Sequence, residues 1–150
     1  MQVKEIMTRD VEFARRDTLV TEAADRMRAH NIGMLPVWDD DQLQGVVTDR
    51  DITVRAMAHR LPSELVRCQD VMTANAVFCF EDQEVADATE VMRDHKIRRL
   101  PVLNRQRRLV GIISIGDIAL GTGDTKLVGV AVQEVSTPDV PKPLPGQKRE

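Results

Sequence analysis

The chain writes one passage twice. Met27 opens the run MRAHNIGMLPV, and Met92, sixty-five residues later, opens MRDHKIRRLPV, with seven of the eleven positions identical. Self-similarity at a fixed period marks a supersecondary unit that cannot bury its apolar face alone and is covered by its own duplicate. At the same offset Met7-Thr8 falls on Met72-Thr73, Asp17 on Asp82, Val20 on Val85, His30 on His95 and Pro36 on Pro101. One extra residue then enters the second copy between two apolar runs, where an insertion into a surface hairpin costs least. Beyond it Gly45, Asp51 and Ile52 match Gly111, Asp117 and Ile118.

Within each copy the hydrophobic period changes in one order. DVEFA and AVFCF read as short strands; Val20, Ala23, Ala24 and Met27, then Val85, Ala88, Val91 and Met92, recur at helical spacing. MLPVW with LQGVVT, and RLPVL with LVGIIS, read as strand pairs joined by polar hairpins, and a second helix follows each. The expected fold is α/β (α+β): two pseudo-symmetric β-α-β-β-α repeats, residues 1–60 and 68–122, packed sheet to sheet. Residues 61–67 are too short a connector to hold the halves apart. A final helix over 123–137, with Asp124 as its N-cap, precedes a tail at 138–150 that holds four of the seven prolines and is expected to be disordered.

Composition removes several classes of function. A net charge of -3 speaks against broad capture of nucleic acid or an anionic membrane, and 3% aromatic residues leave few platforms for stacking bases. No apolar run approaches the roughly 20 residues of a spanning helix, and the amino terminus lacks a signal-peptide core, so a cytoplasmic protein is expected. Cys68 and Cys79 lack partners at metal-ligand spacing and read as reduced thiols. There is no G-x-S-x-G elbow, no P-loop lysine and no Cys with an evident base, so no metal site and no enzyme is expected.

The informative pair is GVVTDRD from Gly45 and GIISIGD from Gly111. In both, a strand ends in a hydroxyl residue, Thr48 or Ser114, with an Asp three positions on, Asp51 or Asp117. The plain reading is a helix cap, hydroxyl at N-cap and acid at N3. The functional reading sends both carboxylates into a groove between the copies, accepting hydrogen bonds from ribose hydroxyls at roughly 1.5–3 kcal/mol each. Thr48, Ser114 and the open N–H groups of the helix starts then face phosphate. His30 and His95, at equivalent helix ends, read as C-terminal caps.

These motifs, in this order and in both halves, resemble a tandem pair of CBS domains, a Bateman module of the stand-alone bacterial type. The resemblance covers about residues 1 to 122: the MT entry, the helix ending in H-x-I-x-x-LPV, the hairpin, and the G-h-h-[ST]-x-x-D-I junction. It implies a groove for AMP, ADP, ATP or S-adenosylmethionine, held as a regulatory ligand and not as a required cofactor. By that resemblance Asp51 and Asp117 take ribose, with Thr48 and Ser114 beside ribose or phosphate. Ile32, Met34 and Pro36, and Ile97, Arg98 and Pro101, form the adenine slot.

The copies differ in charge. Lys96 to Arg108 carries six basic residues and no acid, whereas the first copy has Asp39-Asp40-Asp41 there. Arg98, Arg99 and Arg50 are the phosphate candidates, and the tighter groove is expected to join Asp117 with Arg98 and Arg99, completed by Arg50. The resemblance also implies a homodimer through helical faces that include Val20, Ala24, Met27, Val85, Ala88 and Met92, with the acidic and basic hairpins favouring a head-to-tail arrangement. Two functions stay open: a sensor of adenosine-containing ligands that signals to an effector protein, and a ligand-free assembly module.

Overall fold

The computed structural model describes residues 1–138; the tail expected beyond that point lies outside the described residues. Two sheets of three strands and six α-helical segments form a mixed α/β fold of two matched halves. Helices α1 (Val20–His30) and α4 (Val85–His95) turn Val20, Ala23 and Met27, and Val85, Ala88 and Met92, onto their sheets. Each ends on a left-handed residue, Asn31 or Lys96, both at φ 52°. Asn enters that region readily, whereas Lys pays about 1–2 kcal/mol, so the turn at Lys96 is imposed by the strand that must begin beyond it.

In the first half β1 (Met34–Asp39) and β2 (Gln42–Thr48) form an antiparallel hairpin closed by Asp40 and Asp41, both with positive φ as a two-residue hairpin turn demands. Thr48 then caps a short helix, α2 (Asp49–Asp51), which continues as a π-helix from Ile52 to Met57. A short helix α3 (Cys68–Val71) and strand β3 (Thr73–Ala74) follow. In the second half β4 (Cys79–Phe80) lies parallel to β5 (Arg99–Leu103), which pairs with β6 (Leu109–Ser114), and Ser114 caps the regular helix α5 (Ile115–Thr122). The leading strand of each copy is much shorter than its sequence suggests. AVFCF keeps two residues as β4, and DVEFA keeps one bridge, Ala14 against Val37.

The halves exchange their entry segments. Residues 66–74 complete the first half: Cys68 N–H donates to Thr18 O at 2.8 Å, and β3 pairs with β2. Residues 1–8 complete the second, where Val3 N–H donates to Gln83 O and Thr8 exchanges two 2.9 Å backbone bonds with Ile112. Two separate cores result, built from equivalent residues. Ala14, Val20, Met27, Leu35, Val37 and Cys68 in one correspond to Cys79, Val85, Met92, Leu100, Val102 and Val3 in the other. The crossing strands explain two glycines. A Cβ on Gly45 would lie 2.2 Å from Thr73 O, and one on Gly111 would meet Met7 Sδ at 2.6 Å.

The apolar residues assigned to a dimer face are used differently. Val20, Met27, Val85, Ala88 and Met92 are buried in their own cores, and only Ala24 is exposed. The charged hairpins are likewise engaged within the chain: Arg108 reaches Asp41 at 2.8 Å, Asp40 pairs with Arg16, and Arg105 pairs with Asp82. Helix α6 (Thr125–Ser136), capped by Asp124, packs on α4 and α5, and Arg93 grips Glu134 with two 2.8 Å bonds. Among the described residues no helix is long and apolar enough to cross a membrane.

Candidate functional site

Both strand-to-helix junctions form the capping boxes that their spacing implies. Asp51 N–H donates to Thr48 Oγ1 and Thr48 N–H to Asp51 Oδ2, each at 3.0 Å; Ser114 and Asp117 repeat this at 3.1 and 2.9 Å. The cap engages one carboxylate oxygen, Oδ2. Asp51 Oδ1 lies 3.8 Å from Arg55 Nε, and Arg55 Nη1 in turn donates to the carbonyls of Val71 and Met72 at 3.0 Å. The equivalent position in the second half is Gly121, where the Ile6 side chain fills the space a Cβ would need.

Each junction lies at a cleft whose walls come from both copies. The first, about 380 Å³, is lined by Met34, Val46, Thr48, Asp49 and Arg50 from the first copy, and by Thr73, Ala76, Val77, Ile97 and Pro101 from the second. Lys96, Arg98 and Arg99 add three further cations to Arg50 there, against the single carboxylate of Asp49. Asp51 sits just behind this lining, its side chain 13% exposed. The second cleft, about 310 Å³, is lined by Thr8, Val11, Ile32, Met34, Ile112, Ser114 and Asp117, together with Asp10, Glu12, His30 and Arg99. His30 Nε2 lies 3.2 Å from Glu12 Oε1, so this histidine faces a carboxylate and not the helix carbonyls expected of a cap.

The structure thus redistributes the expected site. Ser114, Asp117, Ile32, Met34 and Arg99 come together, and Arg98 and Arg99 line an adjoining pocket with Ser114, Ile115 and Gly116; both arginines also line the Thr48 cleft, where Arg50, Ile97 and Pro101 join them. Arg98 and Arg99 therefore stand between the two junctions, reaching the Thr48 cleft of the other copy as well as the Ser114 junction of their own. Pro36 is buried in β1 and lines neither cleft. Sequence reasoning missed Lys96, Thr73 and Val77 on one side and Asp10, Glu12 and His30 on the other. The duplicated Thr8 and Thr73 were the available signal, since each entry segment runs directly into the cleft it lines.

Cys68 and Cys79 are buried and unpaired, and burial pushes their thiols up to about 11 and about 12. Neither offers a thiolate at neutral pH. Among the described residues no group of three or more His, Cys, Asp or Glu is placed to hold a metal ion.

The CBS-domain family model matches residues 3–57 and 68–120. The uncharacterized protein YlbB of Bacillus subtilis is 34% identical over 140 residues, which span 92% of this chain and 93% of that one. Among solved structures, the CBS domain pair of protein MJ0100 in complex with 5′-methylthioadenosine and S-adenosyl-L-methionine is similar with a TM-score of 0.72 and 30% identity, covering 84% of this chain and 98% of that one. CBSX2 in complex with AMP is similar with a TM-score of 0.71 and 26% identity, covering 83% and 98%. The double family match falls on the two halves described above, and the chain belongs to the CBS-domain family as a tandem CBS pair.

Proposed function

We propose that this CBS pair is a regulatory module that senses an adenosine nucleotide, and that the nucleotide lies in the Thr48 cleft. The observation that carries the reading is the lining of that cleft: an apolar slot between Met34, Val46, Ile97 and Pro101, with Arg50, Lys96, Arg98 and Arg99 around it and one opposing carboxylate. The slot suits a base, and the cations suit phosphate, to which charge-assisted bonds are short and strong. Ribose lies at the end of the cleft against Thr48 and Asp51. The complexes of the MJ0100 pair and of CBSX2 with adenosine compounds support the ligand class.

Sensing follows from the walls. A ligand that touches both copies favours whichever relative packing it binds better, and only that difference in affinity is available as signal. A ligand-free assembly role is the second reading, favoured by capping boxes that already occupy one oxygen of each Asp. Isothermal titration with AMP, ADP and ATP separates them. The sensor binds saturably; Asp51→Ala weakens binding about tenfold to a hundredfold, and Asp117→Ala leaves it within about twofold. No heat from any of the three, or loss confined to Asp117→Ala, overturns the assignment to the Thr48 cleft.

A further inference from the structure

Helix α6 begins beyond the residues that carry the CBS match, which end at 120, and it packs on α4 and α5. Ala131 and Val135 bury its inner face, with Leu127 and Val128 partly buried against the second core. Its last turn is also fixed to the second repeat by polar bonds. Arg93, in the last turn of α4, grips Glu134, and Arg98 Nη2 donates to Ser136 Oγ at 2.9 Å. Both bonds land on residues 93–99, the stretch that leaves α4 through the left-handed Lys96 and supplies Lys96, Arg98 and Arg99 to the Thr48 cleft. Arg98 lines the pocket beside Ser114 and Gly116 as well, and Val132 of α6 forms one wall of that pocket. The first repeat has Gly33 and Met34 at the places of Arg98 and Arg99, so what α6 holds is peculiar to the second repeat.

We propose that Ser136 is a positioning residue for Arg98, and that α6 thereby reads whether a phosphate occupies the Thr48 cleft. This rests on the reading that a nucleotide lies there, and it adds how the phosphate reaches an element outside the repeats. An arginine carries five N–H donors and a large rotamer entropy. The Ser136 hydroxyl accepts from one donor and holds the side chain in place, which leaves the others for phosphate and removes part of the ordering cost of binding. Coupling of this kind is reciprocal: by the factor that the Ser136 bond strengthens phosphate binding, the phosphate strengthens that bond and with it the last turn of α6. The Arg93–Glu134 pair docks the same turn without touching the cleft, so the Arg98 bond is the part that the ligand changes.

Calorimetry and amide exchange on the full chain test the coupling. AMP is titrated into the wild-type chain, Ser136→Ala, Arg98→Gln and the double variant. The proposal expects Ser136→Ala to weaken AMP binding about threefold to tenfold, and to have no further effect once Arg98 is replaced. Alanine forms helix better than serine, so a merely structural role for Ser136 predicts no such loss. Saturating AMP should slow exchange at amides 133–136 of the wild-type chain and leave them unchanged in Ser136→Ala. Three results overturn the proposal while the Thr48 assignment stands: Ser136→Ala binding AMP within about twofold of wild type, effects of the two substitutions that simply add, or AMP that fails to slow exchange at 133–136. Absence of AMP binding by the wild-type chain overturns the Thr48 assignment itself, and the proposal with it.

Discussion

The two halves agree where they pack and disagree where they face each other. Their cores use the same positions, down to Leu35 against Leu100 and Val37 against Val102, and their junctions form the same reciprocal cap. Their clefts differ in lining: Arg50, Lys96, Arg98 and Arg99 stand around the Thr48 cleft with Asp49, whereas Asp10, Glu12, Asp117, His30 and Arg99 line the Ser114 cleft, with Arg98 and Arg99 in an adjoining pocket beside Ser114 and Gly116. A duplicated fold tolerates little change in a close-packed core, where one methylene is felt, but leaves the rims of its grooves open to substitution. The difference between the halves is therefore concentrated where a ligand can read it.

The largest effects test the agreement. Leu35→Ala and Leu100→Ala each remove a fully buried side chain from an equivalent place, and each is expected to lower stability by about 2–5 kcal/mol in chemical denaturation. A negligible loss in either half would mean that the cores are not equivalent. The crossing segments give the next effect. Gly45→Ala drives a Cβ to 2.2 Å from a backbone carbonyl, whereas on Gly111 the closest atom is the flexible Met7 Sδ and the Thr8 carbonyl lies at 2.9 Å. Overpacking costs about 1–3 kcal/mol, and Gly45→Ala should fall at the upper end with Gly111→Ala below it. The reverse order would contradict the exchange of entry segments as drawn.

The smallest effect sharpens a further asymmetry, the helix α6 that covers only the second half. Arg93 bonds hold the Glu134 carboxyl below its usual range. A carboxylate with a lowered folded-state pKa stabilises above its unfolded value and loses that contribution as pH falls through the folded one. Helix α6 should therefore loosen as pH falls below the ordinary glutamate range of about 4.3, ahead of the sheets, with protection from amide exchange lost over 125–136 before it is lost over 99–114. Glu134→Gln should remove the pH dependence of that protection in the same window. Because the pair is exposed, the effect is modest.

The repeat, the element order and the capping junctions were legible because each follows from local spacing: apolar residues at period 3.6 or 2, and a hydroxyl three residues before an acid. The membership of each cleft was not. Arg98 is sixty-six residues after Ile32 and stands in the same copy as Asp117, so sequence proximity favoured grouping it with that junction. The fold places it between the two junctions, lining the Thr48 cleft and also a pocket with Ser114 and Gly116. The π-helical register of Ile52–Met57 left no signature either, since its residues are ordinary helix formers. Glu12 reads only as part of the strand-like run DVEFA and His30 as a helix cap, and only their approach across eighteen residues makes them parts of one wall.

The central claim is that the phosphate-bearing ligand occupies the Thr48 cleft and not the Asp117 junction. Two-dimensional NMR of the ¹⁵N-labelled chain during titration with AMP reads this residue by residue. The account predicts the largest shifts at the amides of Gly33, Thr48, Arg50, Thr73 and Arg98, with Glu12, His30 and Asp117 changing little. Shifts centred on Ser114, Asp117 and His30, with Thr48 and Arg98 unmoved, would contradict it.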